Sequence, residues 1–280
     1  PYKRFITPST SSLLSDIMGT HAPRDSLCGV GTESRLKTRS ETRMSTPTNR
    51  RPEPPSTYFV EDRSSEGELS RLQLQDHMLT TGMGGVLPEQ PDPAIFERVL
   101  DIGCGTGSWL IETARTYPTI SLLMGVDVSG KMIKYARAQA EARQVSERVQ
   151  FRTMDVLPML KFPAASFDLV NQRLGGSYLR TWDWPKLLQE YQRVSQPGGM
   201  IRITECALPQ TNTPALTFLN GLCLRAFSQA GHYFLPDEPD GVIDELVPLL
   251  ERYGFCNVQS RLHRLELRAG TQRGTFTARM

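Results

Sequence analysis

From Arg98 onward the chain alternates short, almost wholly apolar runs with helix-like runs, and few architectures accept that pattern. RVLDI (98–102) reads as a strand, 103–107 as a glycine loop, and 108–117 as a helix stopped by Pro118. Strands follow at 120–128, 148–154, 166–171 and 200–204, the last entered through a Pro197-Gly198-Gly199 turn. A sixth, long strand spans 255–267. Helices are expected from Ser129 to about Arg143, at 184–195, and over roughly 214–230 and 241–253. Strands that are apolar on both sides imply a parallel sheet covered by helices on both faces. Such sheets bind ligands at the carboxyl ends of their strands, so the residues just after each strand are the ones to weigh.

The sharpest of these is VLDIGCGTG (99–107), where Gly103, Gly105 and Gly107 alternate between a strand and a helix. Glycine allows the tight turn and lets a ligand approach the backbone, and the helix start offers free N–H groups. Twenty residues past Gly107, Asp127 closes the second strand in GVDVS, where its carboxylate can accept the two ribose hydroxyls of a nucleoside. The dinucleotide fingerprint needs a glycine where this chain has Ser108, which counts against a nicotinamide oxidoreductase. With no pyrophosphate to seat, the loop suits an amino-acid-like tail, and Asp101 suits its ammonium.

VLDIGCGTG, with GVDVS, MDVLP and the PGG turn in the same order, resembles the class I S-adenosylmethionine-dependent methyltransferases. The likeness is strong over 98–205 and looser over about 58–268. More narrowly, YFVEDRSSEGELSRLQLQDHMLTTGMGG, DLVNQRLGG and QRVSQPGGMIRITE resemble bacterial enzymes of small-molecule type. The resemblance implies an α/β, Rossmann-like doubly wound sheet in three layers, α/β/α, with an N-terminal helical cover. It implies S-adenosyl-L-methionine as cofactor, with Gly103, Cys104, Gly105 and Gly107 lining the methionine portion and Asp101 contacting it. Asp127 would hold the ribose, Val128 and Met132 would pack on adenine, and Asp155 would bind the adenine amino group beside Val156. Asn171 would sit near the methyl, with Gln172 and Arg173 facing the substrate.

Four residues are candidates for catalysis: Asn171, Gln172, Glu205 and His77. Each has a plainer reading. Asn171 and Gln172 would simply close a strand, Glu205 would pair in a salt bridge, and His77 would be a solvated helix residue. Asp155 equally suits a turn, and Cys104 is read as a small apolar filler rather than a nucleophile. His232 and Tyr233 are pocket candidates in a lid, while Trp182 and Trp184 are expected to pack the helix that follows. The tetrapeptide typical of nucleic-acid and protein amide methylators is absent after the fourth strand, where NQRL stands. No carboxylate set suggests a metal. A small organic acceptor is therefore expected, methylated by direct displacement. The alternative is a non-catalytic regulatory protein that keeps the fold.

Composition narrows the rest. The 280 residues carry a net charge of +2, which gives no basis for a nucleic-acid partner, and no apolar run reaches membrane-spanning length. Five scattered cysteines without a C-x-x-C pair suit a reducing cytoplasm. A monomer or homodimer is expected. Of the first 57 residues, 25 are Ser, Thr or Pro, so 1–57 is expected to be disordered. Met44 opens a segment resembling a native start; the competing reading, 1–43 as a targeting peptide, is weakened by Asp16, Asp25, Glu33 and Glu41. Residues 58–97 are expected to form the helical cover and 98–280 the cofactor domain, with 206–240 as lid. Six strands are counted where the family has seven, so the sheet is expected to lack a strand and keep an open edge.

Overall fold

A computed structural model describes residues 11–21, 65–234 and 242–266. Seven strands form one sheet: β1 (Ser11–His21), β2 (Arg98–Ile102), β3 (Leu122–Asp127), β4 (Val149–Thr153), β5 (Phe167–Arg173), β6 (Ser195–Cys206) and β7 (Phe255–Glu266). Their spatial order is β4-β3-β2-β5-β6-β1-β7. Strands β2 to β6 pair in parallel. The chain reverses direction at β2, whose neighbours β3 and β5 lead to opposite sides of the sheet. That is the switch point at which open α/β sheets bind ligands.

Two expectations are corrected. The sheet has its seventh strand, and it comes from the segment read as disordered. β1 lies between β6 and β7, antiparallel to both, from Leu14↔Cys206 to Thr20↔Met200 on one side and from Ser11↔Glu266 to His21↔Phe255 on the other. Averaged over 57 residues, Ser, Thr and Pro conceal the short apolar run SLLSDIM (12–18). A strand paired on both sides satisfies most of its backbone groups, apart from a bulge between Met18 and Thr20 on the β7 side, and it closes the gap between β6 and β7. The remainder of 1–57, and the segment 235–241 of the expected lid, lie outside the described residues.

The helices are α1 (Glu66–Met83), α2 (Ser108–Thr116), α3 (Gly130–Ala142), α4 (Trp184–Val194), α5 (Pro214–Gln229) and α6 (Ile243–Arg252). Ser65 caps α1, its Oγ accepting from the Glu68 N–H, and Ser129 caps α3 in the same way. The Pro-Gly-Gly segment forms a bulge inside β6: Phe167 faces Ser195, yet Leu169 already faces Met200.

Adjacent residues of a strand face opposite sides, so the sheet builds two cores. Val99, Leu123, Phe151 and Leu169 pack with Trp109 and Leu110 of α2 and Ile133 and Ala136 of α3. On the other face Leu100, Val126, Val170, Ile201 and Ile203 pack with Trp184, Leu188 and Tyr191 of α4 and Leu246 and Leu250 of α6. Trp184 belongs to this core as expected, whereas Trp182 is exposed. Among the described residues α5 has no buried side chain, and no helix is long and apolar enough to cross a membrane.

Candidate functional site

At the end of β2 the glycine loop turns sharply enough that Gly103, Gly105 and Gly107 all take positive φ, between 51° and 73°. A side chain at Gly107 would collide with Phe151 and with Ala136 Cβ, at 2.5 and 2.9 Å. Gly105 is different: nothing lies within 4 Å of where its Cβ would be. The loop is therefore packed from below at Gly107 and open at Gly105, a cradle into which a ligand can press.

Asp127 faces this cradle from the end of β3. One carboxylate oxygen accepts the Gly105 N–H (3.0 Å) and the other the Ser129 N–H (2.8 Å). The two bonds fix the carboxylate at the edge of the cradle, on the side where a vicinal diol would meet it. Val128, 56% exposed, offers an apolar face beside it, while Met132 is buried on α3. Asp155 is exposed and its Oδ1 accepts the Leu157 N–H, an Asx turn that leaves its other oxygen available, and Val156 is buried beside it. These residues fit the nucleoside half of S-adenosylmethionine.

Asp101, Asn171 and Arg202 occupy one register row across β2, β5 and β6. All three are buried on the face toward α2. Asn171 Nδ2 donates to Asp101 Oδ1 (2.7 Å), and Asn171 Oδ1 accepts from Arg202 Nη1 (3.0 Å). Arg202 Nε in turn donates to Glu89 in the loop after α1 (3.0 Å). Burial raises the Asp101 pKa to about 7, against the lowering influence of Arg173 and the Asn171 amide. An ammonium brought to Asp101 would restore its charge, which fits an amino-acid tail at this point.

The opposite face carries a second polar cluster. Glu205, buried at the end of β6, accepts the Gly176 N–H with both oxygens (3.1 and 3.2 Å) and faces Gln172 Nε2 at 3.5 Å. Gln172 Oε1 accepts the Tyr191 hydroxyl. Burial lifts the Glu205 pKa to about 8, although the Gly176 and Gly175 N–H groups and the Gln172 amide oppose the rise. The turn that delivers those N–H groups begins at Leu174, whose φ of 56° is unusual for a bulky residue. His232 is buried with Nδ1 against the Gly176 and Leu179 carbonyls (3.1 and 2.8 Å), and desolvation lowers its pKa. Tyr233 stacks on Phe227 of α5 at 5.4 Å.

The cover is tied to the strand ends by Arg173, which pairs with Asp76 of α1 and lies over the Trp109 ring at 5.8 Å. His77, next in sequence, is exposed. Cys104 lies against the sheet at Gly125, and burial next to Asp127 and Asp101 pushes its thiol pKa well up, so it stays protonated and unreactive. Sequence reasoning did not single out Glu89, Asp76, Tyr178 or Arg202. The Tyr178 hydroxyl sits 2.6 Å from where a Gly103 Cβ would be, roofing the loop. Arg202 did leave a signal, a lone charge at the centre of the apolar strand MIRIT.

Residues 99–199 match the family model described as a methyltransferase domain. Aklanonic acid methyltransferase DauC of Streptomyces sp. (strain C5) is 32% identical over 198 residues, which cover 66% of this chain and 86% of that protein. Demethylmenaquinone methyltransferase of Porphyromonas gingivalis is 31% identical over 51% of this chain and 58% of its own length. The chain spans about half the length of this and other demethylmenaquinone methyltransferases. Among solved structures it is similar to the Bacillus YcgJ protein, with a TM-score of 0.40 and 26% identity over 56% of this chain and 61% of that one. It is also similar to an S-adenosylmethionine-dependent methyltransferase of Aquifex aeolicus, with a TM-score of 0.39 and 18% identity over 58% and 82%.

Proposed function

Because the chain belongs to the class I S-adenosylmethionine-dependent methyltransferases, we propose that it methylates a small organic acceptor held between its strand ends and its helical cover. The observation that carries this reading is the pairing of an open glycine cradle with two differently prepared carboxylates, Asp127 fixed by backbone N–H groups and Asp101 buried beneath. The relatives point the same way, being named for aklanonic acid and demethylmenaquinone as acceptors.

The cofactor, when bound, supplies an electrophilic methyl on a sulfonium. The chain's own residues bind and orient. Gly105 and Asp127 hold the nucleoside, with Val128, Met132, Asp155 and Val156 around the base. Gly103, Cys104 and Gly107 shape the loop around the amino-acid tail, and Asp101 meets its ammonium. Displacement at a methyl gains chiefly from alignment. The cover of α1, clamped by Arg173 to Asp76, and of α5 with His232 and Tyr233 excludes water and selects the acceptor.

Where the acceptor must lose a proton, Glu205 receives it. A carboxyl lifted to about 8 is a far stronger base than an ordinary one, and Gln172 beside it orients the acceptor. Titration calorimetry of S-adenosylmethionine and S-adenosylhomocysteine on the wild type and Asp127→Ala tests the binding half. Micromolar binding lost in the variant is expected, and no binding by the wild type would dismiss the reading. Glu205→Gln tests the base. Turnover should fall by about 100-fold, the usual worth of a general base, with cofactor affinity unchanged; equal turnover would remove Glu205 from that role.

A further inference from the structure

We infer that Arg202, held by Glu89, is a positioning residue that sets the Asn171 amide and thereby prepares Asp101 for a cationic ligand group. The inference rests on the reading of Asp101 as the contact for the cofactor's ammonium, though its test does not.

An arginine in the middle of a buried strand is costly unless every part of it has a partner. Here the cost yields a defined geometry. Arg202 and Glu89 are each only 1% exposed in their side chains and meet at 3.0 Å. The ion pair aims Nη1 at Asn171 Oδ1. An amide whose oxygen is engaged by a guanidinium must present its Nδ2 in the opposite direction, and there it donates to Asp101. With Arg202 gone, the amide is free to turn its oxygen toward Asp101, an arrangement the carboxylate tolerates only when protonated. Glu89 lies in the loop that follows α1, so the row also joins the cover to the cofactor floor. Trp109 Nε1 pins the same loop by donating to the Val86 carbonyl at 3.0 Å.

Asp101 is also faced by Arg173 on β5, Asp76 on α1, Cys104 in the loop, and Tyr178 and Tyr191 from the other face. A test must therefore separate amide orientation from net field. The charge-neutral pair Glu89→Gln with Arg202→Met removes one cation and one anion together. Arg202→Lys keeps the cation, so Glu89 is not stranded and the fold survives, yet a flexible ammonium loses the planar fork that fixes Nε on Glu89 and Nη1 on Asn171 at the same time.

The measurement is the carbon NMR titration of the Asp101 carboxyl in the ligand-free protein, assigned by its loss in Asp101→Asn. Both variants should move the Asp101 midpoint up by about one pH unit, which corresponds to about a tenfold change in the ionisation equilibrium. S-adenosylhomocysteine binding at pH 7 should weaken about fivefold, because the ionised fraction of Asp101 falls from about one half to about one eleventh. The KM for the methyl donor should rise with kcat little changed. A wild-type midpoint in Arg202→Lys, folded by circular dichroism, would overturn the inference, as would a wild-type midpoint in the neutral pair. Should the wild type bind no S-adenosylhomocysteine, the proposed function falls while the titration still decides this point.

Discussion

Glu205→Gln should change how stability depends on pH, in a direction fixed by the structure. Glu205 titrates near 4.5 when exposed to water and near 8 in the folded chain. A folded-state pKa above the unfolded one means the native state holds more protons between those values, so stability falls as pH rises through that window. The contribution is fully present below pH 4.5 and lost above about 8. At about 1.4 kcal/mol per pH unit the full span comes to roughly 4–5 kcal/mol, an upper figure, since water entry and rearrangement on ionisation reduce it. A loss of about 2–4 kcal/mol between pH 5 and pH 8.5 is therefore assigned to this residue. Asp101, also raised, adds a loss of the same sign in the wild type and the variant alike, so the difference between them isolates Glu205. Gln keeps the acceptor for the Gly176 N–H and has no proton to lose. Urea denaturation at pH 5, 6.5 and 8.5 measures it: the wild type should lose stability more steeply than Glu205→Gln. Equal slopes would show that Glu205 is hydrated or paired in solution and refute the argument from burial.

Three further outcomes follow from the same geometry. Gly107→Ala forces a side chain into positive φ and against Phe151 and Ala136, so it should destabilise by about 2–4 kcal/mol in guanidinium unfolding, from left-handed strain and overpacking together. Arg148→Met removes a guanidinium that accepts no substitute, since it donates to the carbonyls of Ala114 and Ile120; a loss of about 1–3 kcal/mol is expected by the same assay. Cys104 should react with a maleimide far more slowly at pH 7.5 than exposed Cys256, and S-adenosylhomocysteine should slow it further, as mass mapping of the labelled peptides would show.

Much of this molecule is local and therefore legible in the sequence. Apolar runs such as VLDI (99–102) and LMGV (123–126) are strands because they are buried on both faces, and the capping serine Ser129 marks where α3 begins. Gly103, Gly105, Gly107 and Asp127 announce the cradle because a tight turn and a strand-end carboxylate are properties of a few consecutive residues. What only the tertiary structure decided depends on which distant segments meet. β1 becomes a strand because β6 and β7 leave a slot for an antiparallel neighbour, and a composition rich in Ser, Thr and Pro says nothing of such a slot. Asp101, Asn171 and Arg202 lie 70 and 31 positions apart and form one row only through strand register, and Glu89 reaches that row from 113 positions away. Asp101 and Glu205 owe their raised pKa values to the loss of water around them. Water is excluded by the whole packed molecule, so no short stretch of sequence encodes the charge state of its own carboxylates.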